Sequence, residues 1–128
     1  MATRPPIVAI VEDDPSVRKS LKRLLNAYGL TTEGYASAEA FLDAGGERRA
    51  DCLVLDIHLE GMSGIDLRHQ LTAAGSTLPV IFITAVDEDG LEQEAVRAGC
   101  IAYLRKPVST ELLTSALNQA LGEVPCNH

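Results

Sequence analysis

The sequence is short of the features that mark most alternatives. No apolar run approaches the ~18 residues that a membrane-spanning helix needs. The three cysteines, Cys52, Cys100 and Cys126, lie far apart with no CxxC spacing. They read as reduced thiols, not as a disulfide framework or a metal site. Basic residues are outnumbered, 11 Lys and Arg against 18 Asp and Glu, for a net charge of −7. Non-specific affinity for nucleic acid comes mainly from neutralising phosphates, so direct nucleic-acid binding is not expected. The glycine-rich phosphate motifs GxGxxG and the P-loop are absent. The opening Met-Ala-Thr-Arg-Pro-Pro runs directly into a five-residue apolar stretch, without the longer apolar region of a signal peptide. A cytoplasmic protein is the expectation.

What is present is an ordinary balance for a folded domain, 46% apolar and 23% charged residues over 128 positions. That length can bury a real core, and no internal repeat, low-complexity segment or linker divides it. One domain over 1–128 is expected, with its core at about 6–122 and a tail at 123–128.

Five short apolar runs recur at 7–11, 31–36, 52–55, 80–84 and 102–106, the second weaker than the rest. Runs such as Val80-Ile-Phe-Ile-Thr84 are apolar at nearly every position, as parallel strands covered on both faces are. Helical segments lie between them. Asp14 and Pro15 supply an N-cap and a proline at the first helical position, Val17, Leu21, Leu24, Leu25 and Tyr28 share a face, and Gly29 stops the helix. Ser37 precedes a helix over 38–44 closed by Gly45-Gly46. Ser63, with Asp66 three residues on, opens a third over 65–74. A fourth spans about 89–98, and Ser109 or Thr110 caps a fifth that carries Leu112 to Leu121. Strands alternating with helices imply an α/β fold, (βα)5, a doubly wound five-stranded parallel sheet with right-handed crossovers. Such sheets bind ligands outside the carboxyl ends of their strands.

The groups at those ends are chemically pointed. Strand one runs into Glu12-Asp13-Asp14, strand three ends at Asp56, strand four at Thr84 and strand five at Lys106-Pro107. Three successive carboxylates after a buried strand either start a helix or hold a cation. Asp14 has the helix-capping place, which leaves Glu12 and Asp13 for the pocket. Two or three carboxylates suit a hard divalent cation, Mg2+ above all. An amine and a hydroxyl facing them suit a phosphoryl group, with Asp56 as a carboxylate acceptor.

The segments IVEDD, LVLDIHLEGMSGIDL, PVIFITA and AGCIAYLRKP, in this order and register, resemble the receiver domains of two-component response regulators over roughly 6–122. The resemblance implies the flavodoxin-like strand order 2-1-3-4-5. It implies Asp56 as the phosphoacceptor, served by a sensor histidine kinase or phosphotransfer protein. Glu12 and Asp13 would be the acidic pair, and Asp13, Asp56 and the His58 backbone carbonyl would coordinate Mg2+. Lys106 would pair with phosphoryl oxygens, before a Lys106-Pro107 bond that is usually cis. Thr84 and Tyr103 would form the switch pair that reshapes the face of the fourth helix, fifth strand and fifth helix for an output domain or protein partner. Homodimerisation on phosphorylation is a further expectation. The segments VRKSL, SAEAFL and MSGIDL resemble receivers attached to LuxR-type helix-turn-helix domains.

The chain also departs from that pattern. Glu60 stands where a proline usually follows the phosphoacceptor, and the acidic pair is Glu-Asp where Asp-Asp is more usual. His58 and Val86 occupy positions that in the family tune loss of the phosphate to water. Arg18, Lys19, Lys22 and Arg23 make a basic face on the first helix, read either as a solvated surface or as a steering patch for the phosphodonor. Other readings are a pseudo-receiver that binds partners without phosphorylation, a Mg2+-dependent phosphatase and a flavodoxin. The first would be expected to lack an essential group, and none is missing. The second wants an acid two residues after its nucleophile, where His58 stands. The third wants a Ser-, Thr- and Gly-rich loop after strand one.

Overall fold

The computed structural model describes residues 5–85 and 88–122. Cys126, Val86 and the expected tail at 123–128 lie outside them. Five strands, β1 (Ile7–Val11), β2 (Thr31–Tyr35), β3 (Cys52–Asp56), β4 (Val80–Thr84) and β5 (Ala102–Arg105), form one parallel sheet in the order β2-β1-β3-β4-β5. Among the described residues, six helices connect or follow them: α1 (Pro15–Ala27), α2 (Ala38–Asp43), α3 (Gly46–Arg49), α4 (Gly64–Ala73), α5 (Leu91–Ala98) and α6 (Thr110–Leu121).

The apolar runs are buried on both faces because helices cover both. Ala9, Val11, Leu53, Leu55 and Phe82 point to one face, where Phe41 of α2, Leu67 and Leu71 of α4 and Ala95 of α5 pack on them. Val8, Ile10, Val54, Ile81 and Ile83 point to the other, against Leu21 and Leu25 of α1 and Leu113 and Leu117 of α6. Strand periodicity divides the side chains, and each large apolar group so buried contributes about 1.5–3 kcal/mol.

Local signals set most boundaries. Asp14 caps α1, its Oδ1 accepting the Ser16 amide at 2.9 Å, and Pro15 stands in the first turn. Ser37, Ser63 and Ser109 cap α2, α4 and α6 in the same way. Some expectations need correction. Strand two stops at Tyr35 and strand five at Arg105, one residue early, whereas β3 ends at Asp56 as expected. The fourth expected helix begins at Leu91, two residues late, because Gly90 has φ +82 and leaves the helical path. Gly45-Gly46 does not simply end α2. Gly46 opens the short helix α3, where a Cβ would stand 2.4 Å from the Phe41 ring. It is glycine for close packing.

Candidate functional site

Strand register brings the expected groups to one edge. Val11 pairs with Leu55, Asp56 with Ile83 and Thr84 with Arg105, so the carboxyl ends of β1, β3, β4 and β5 lie together. Glu12, which follows β1, is fully buried, as is Thr84; Asp56 is 3% exposed. Asp13 is exposed.

Lys106 links the acids. Its Nζ lies 2.6 Å from Glu12 Oε1 and 3.1 Å from Asp56 Oδ2. The other Glu12 oxygen, Oε2, accepts the Asp14 amide at 3.0 Å, and Asp56 Oδ1 accepts the His58 amide at 3.0 Å. Oxygens of Glu12, Asp13 and Asp56 can lie within 4.8 Å of one another. Hard oxygen donors at that spacing fit Mg2+ or a similar divalent cation. The Lys106-Pro107 bond is cis, and the Lys106 amide donates to the Thr84 carbonyl at 2.8 Å, which ties β5 to β4 at the site.

The electrostatics follow from burial. Removing Glu12 from water pushes its pKa up, and neither the Lys106 and Asp14 hydrogen bonds nor the Lys106 charge fully offsets this. Burial also opposes charge on Lys106, but its bonds to Glu12 and Asp56 outweigh that, and its pKa ends above the ordinary lysine value. One cation thus serves two buried carboxylates with a third beside them. Such an arrangement can take up a cation and then an anion.

Tyr103 is half-buried against the cluster formed with α2, α4 and α5. Its backbone pairs with Phe82, two residues before Thr84 on the neighbouring strand. The described thiols have no place in this chemistry: burial raises the Cys52 pKa to about 12, and Cys100 is raised by its own partial burial.

Several contacts were not legible in the sequence. Arg18 Nη1 donates to the Glu12 carbonyl at 2.6 Å, so one residue of the basic face fastens the end of β1. The stems of Arg18 and Lys22 lie over Gly34 of β2, while Lys19 and Arg23 are exposed. His58 Nε2 lies 3.5 Å from Glu88 Oε1, both side chains being exposed. Glu39 Oε2, on α2, accepts the Met62 amide at 3.0 Å in the loop beyond Asp56. These link residues far apart in the chain or use backbone groups, which leave no mark in a residue pattern.

Comparison with known proteins bears on the family and the fold. The model of the response regulator receiver domain matches residues 8–118. The chain is similar to the response regulator protein TodT of Pseudomonas putida, 33% identical over 98% of this chain and 55% of that one. It is also similar to the transcriptional regulatory protein FixJ of Azorhizobium caulinodans, 36% identical over 90% and 54% respectively. It therefore spans about half the length of these curated relatives. Among solved structures, a response regulator receiver protein from Burkholderia phymatum superposes with TM-score 0.82 at 40% identity, covering 94% of this chain and 98% of that one. The structure titled FixJ-N gives 0.83 at 31% identity, covering 94% and 96%. By sequence and by fold, the chain belongs to the response regulator receiver domain family.

Proposed function

We propose that the chain is a phosphorylation switch in which Asp56 accepts a phosphoryl group from the phosphohistidine of a sensor histidine kinase or phosphotransfer protein. The single observation that carries this reading is Lys106 Nζ standing between Glu12 at 2.6 Å and Asp56 at 3.1 Å, beside Asp13. A carboxylate oxygen of Asp56 attacks phosphorus and the P–N bond breaks. The electron pair leaves with the imidazole nitrogen. Asp13, Asp56 and the His58 carbonyl would hold Mg2+, with Glu12 completing the acidic cluster. When bound, Mg2+ supplies neutralisation of the phosphoryl oxygens. Lys106 pairs with one of those oxygens, and the Thr84 hydroxyl donates a hydrogen bond to another. Glu12 holds the ammonium in place from the buried side.

Movement of Thr84 toward the phosphoryl group vacates space near Tyr103, whose ring turns inward and alters the surface of α5, β5 and α6. Val96 of α5 and Leu112 of α6, 61% and 59% exposed, supply apolar contact there for an output domain, a protein partner or a second copy of the chain. The phosphodonor docks beside α1. Val17, Leu21 and Leu24 line a groove of about 350 Å³ with Pro107 and Val108, and Lys19 and Arg23 offer positive charge nearby. No helix among the described residues is long and apolar enough to cross a membrane, and a cytoplasmic setting suits the proposed donor. Loss of the aspartyl phosphate to water is the only turnover this reading requires.

Beryllium fluoride, a phosphoryl mimic, tests the switch without a donor. With Mg2+ it is expected to shift the amide resonances of Asp56, Thr84, Tyr103 and α5 together. Failure to bind in a folded protein would favour a phosphorylation-independent interaction module.

A further inference from the structure

The loop over residues 57–63 follows Asp56 directly and carries His58. Both of its ends are tied to the fold. The Ile57 amide donates to the Ile83 carbonyl at 3.0 Å, and the Gly64 amide closes the loop by donating to the Ile57 carbonyl at 2.9 Å. Gly64 must be glycine there, because a Cβ would stand 2.3 Å from the Asp56 carbonyl oxygen.

The tip is held differently. Glu60 is exposed, and Gly61 turns the chain at φ +77. A Cβ on Gly61 would lie 2.7 Å from Glu39 Oε2, so the loop backbone sits directly against that carboxylate. The same oxygen accepts the Met62 amide at 3.0 Å, across 23 residues of sequence. Glu39 has firm support. It lies in the first turn of α2 between Ala38 and Phe41's turn, both side chains fully buried, and Ser37 caps that helix at 3.0 Å. The hydrogen bond from the Met62 amide is also the main reason the Glu39 pKa falls below the ordinary carboxylate value.

We infer that Glu39 is a positioning residue for the phosphorylation site: by accepting the Met62 amide it holds the loop that presents the His58 carbonyl to the metal. The inference rests on the proposed function. It also accounts for Glu60. A proline restrains a loop through its own ring, whereas this chain restrains the same loop from α2 by a charge-assisted hydrogen bond. Glu39 touches neither phosphoryl group nor metal, and it acts through the backbone it anchors.

The test is Mg2+ affinity of the full chain, followed through amide chemical shifts, with hydrogen exchange at Met62 recorded alongside. Glu39→Ala is expected to weaken Mg2+ binding about fivefold and to speed Met62 exchange. Glu39→Gln keeps a carbonyl acceptor and should bind within about twofold of the parent. Adding Glu60→Pro to Glu39→Ala should recover most of the lost affinity while Met62 exchange stays fast, an outcome that a general loss of stability would not produce. An unchanged Mg2+ affinity in Glu39→Ala would overturn the inference, as would a loss shared by Glu39→Gln and left unrescued by Glu60→Pro. If the parent chain binds no Mg2+, the proposed function falls and this role of Glu39 falls with it. Binding by the parent with no effect of Glu39 removes the inference alone.

Discussion

At the amino end of the sheet, Asp51 Oδ2 accepts the Ile7 amide at 2.8 Å, while the Asp51 amide donates to the Ile7 carbonyl at 2.7 Å. That carboxylate serves the fold by satisfying the first donor of β1. At the carboxyl end, Glu12, Asp13 and Asp56 crowd their oxygens within 4.8 Å, and Lys106 bridges the two buried ones. The same chemical group thus has opposite effects at the two ends. One acid completes a strand, whereas three acids are crowded together at the other end. On the proposed function, stability is given up where a cation and a phosphoryl group bind.

The largest break in this contrast is expected from Lys106→Ala. It leaves Glu12 fully buried with the Asp14 amide still donating to it but without the Lys106 ammonium beside it, and should lower the unfolding free energy by about 3 kcal/mol near neutral pH in the absence of divalent cations. Urea titration over a range of pH checks it. The loss should shrink in acid, because the raised Glu12 pKa lets that group take up a proton early as pH falls. In the parent chain, the raised pKa of Lys106 has the opposite consequence. Its contribution is fully present below 10.5 and disappears as pH rises through the folded-state value. A denaturation midpoint unaffected by Lys106→Ala at every pH would contradict this account of the site.

A paired substitution sharpens the comparison. Asp51→Ala should destabilise by about 1.5 kcal/mol, since it strips a partner from the Ile7 amide. Asp13→Asn should stabilise the metal-free chain slightly, by about 0.3 kcal/mol, because repulsion from an exposed charge is largely screened, while weakening Mg2+ binding severely. Equal signs in thermal unfolding would show that the two ends do not differ as described.

The smallest effect separates Asp14 from its neighbours. Asp14→Ala should cost about 0.5–1 kcal/mol through loss of the α1 cap. Its effect on Mg2+ affinity should stay within about twofold, since an exposed charge is well screened. A larger loss of metal affinity would move Asp14 into the site.

Much of this arrangement was legible because strands covered on both faces are apolar throughout. Val80 to Thr84 or Cys52 to Leu55 could hardly be anything else, and the rule that ligands gather at strand carboxyl ends then pointed to Glu12, Asp13, Asp56, Thr84 and Lys106. β2 was faint because Thr31 to Tyr35 forms an edge strand with no fully buried side chain. Helix α3 was hidden because Gly46 reads as a terminator when its neighbour Phe41 cannot be seen. In the sequence Glu39 reads only as part of a helix, since its partner is a backbone amide on another element. Contacts of that kind depend on tertiary placement, and side-chain periodicity carries no trace of them.

The most direct test of the central claim is phosphorylation of the full chain by acetyl phosphate, with and without Mg2+, read by intact-mass spectrometry beside Asp56→Asn. The account predicts a single added phosphoryl group that requires Mg2+ and is absent from the variant. An adduct that persists in Asp56→Asn, or none in a folded parent chain that binds Mg2+, would contradict it.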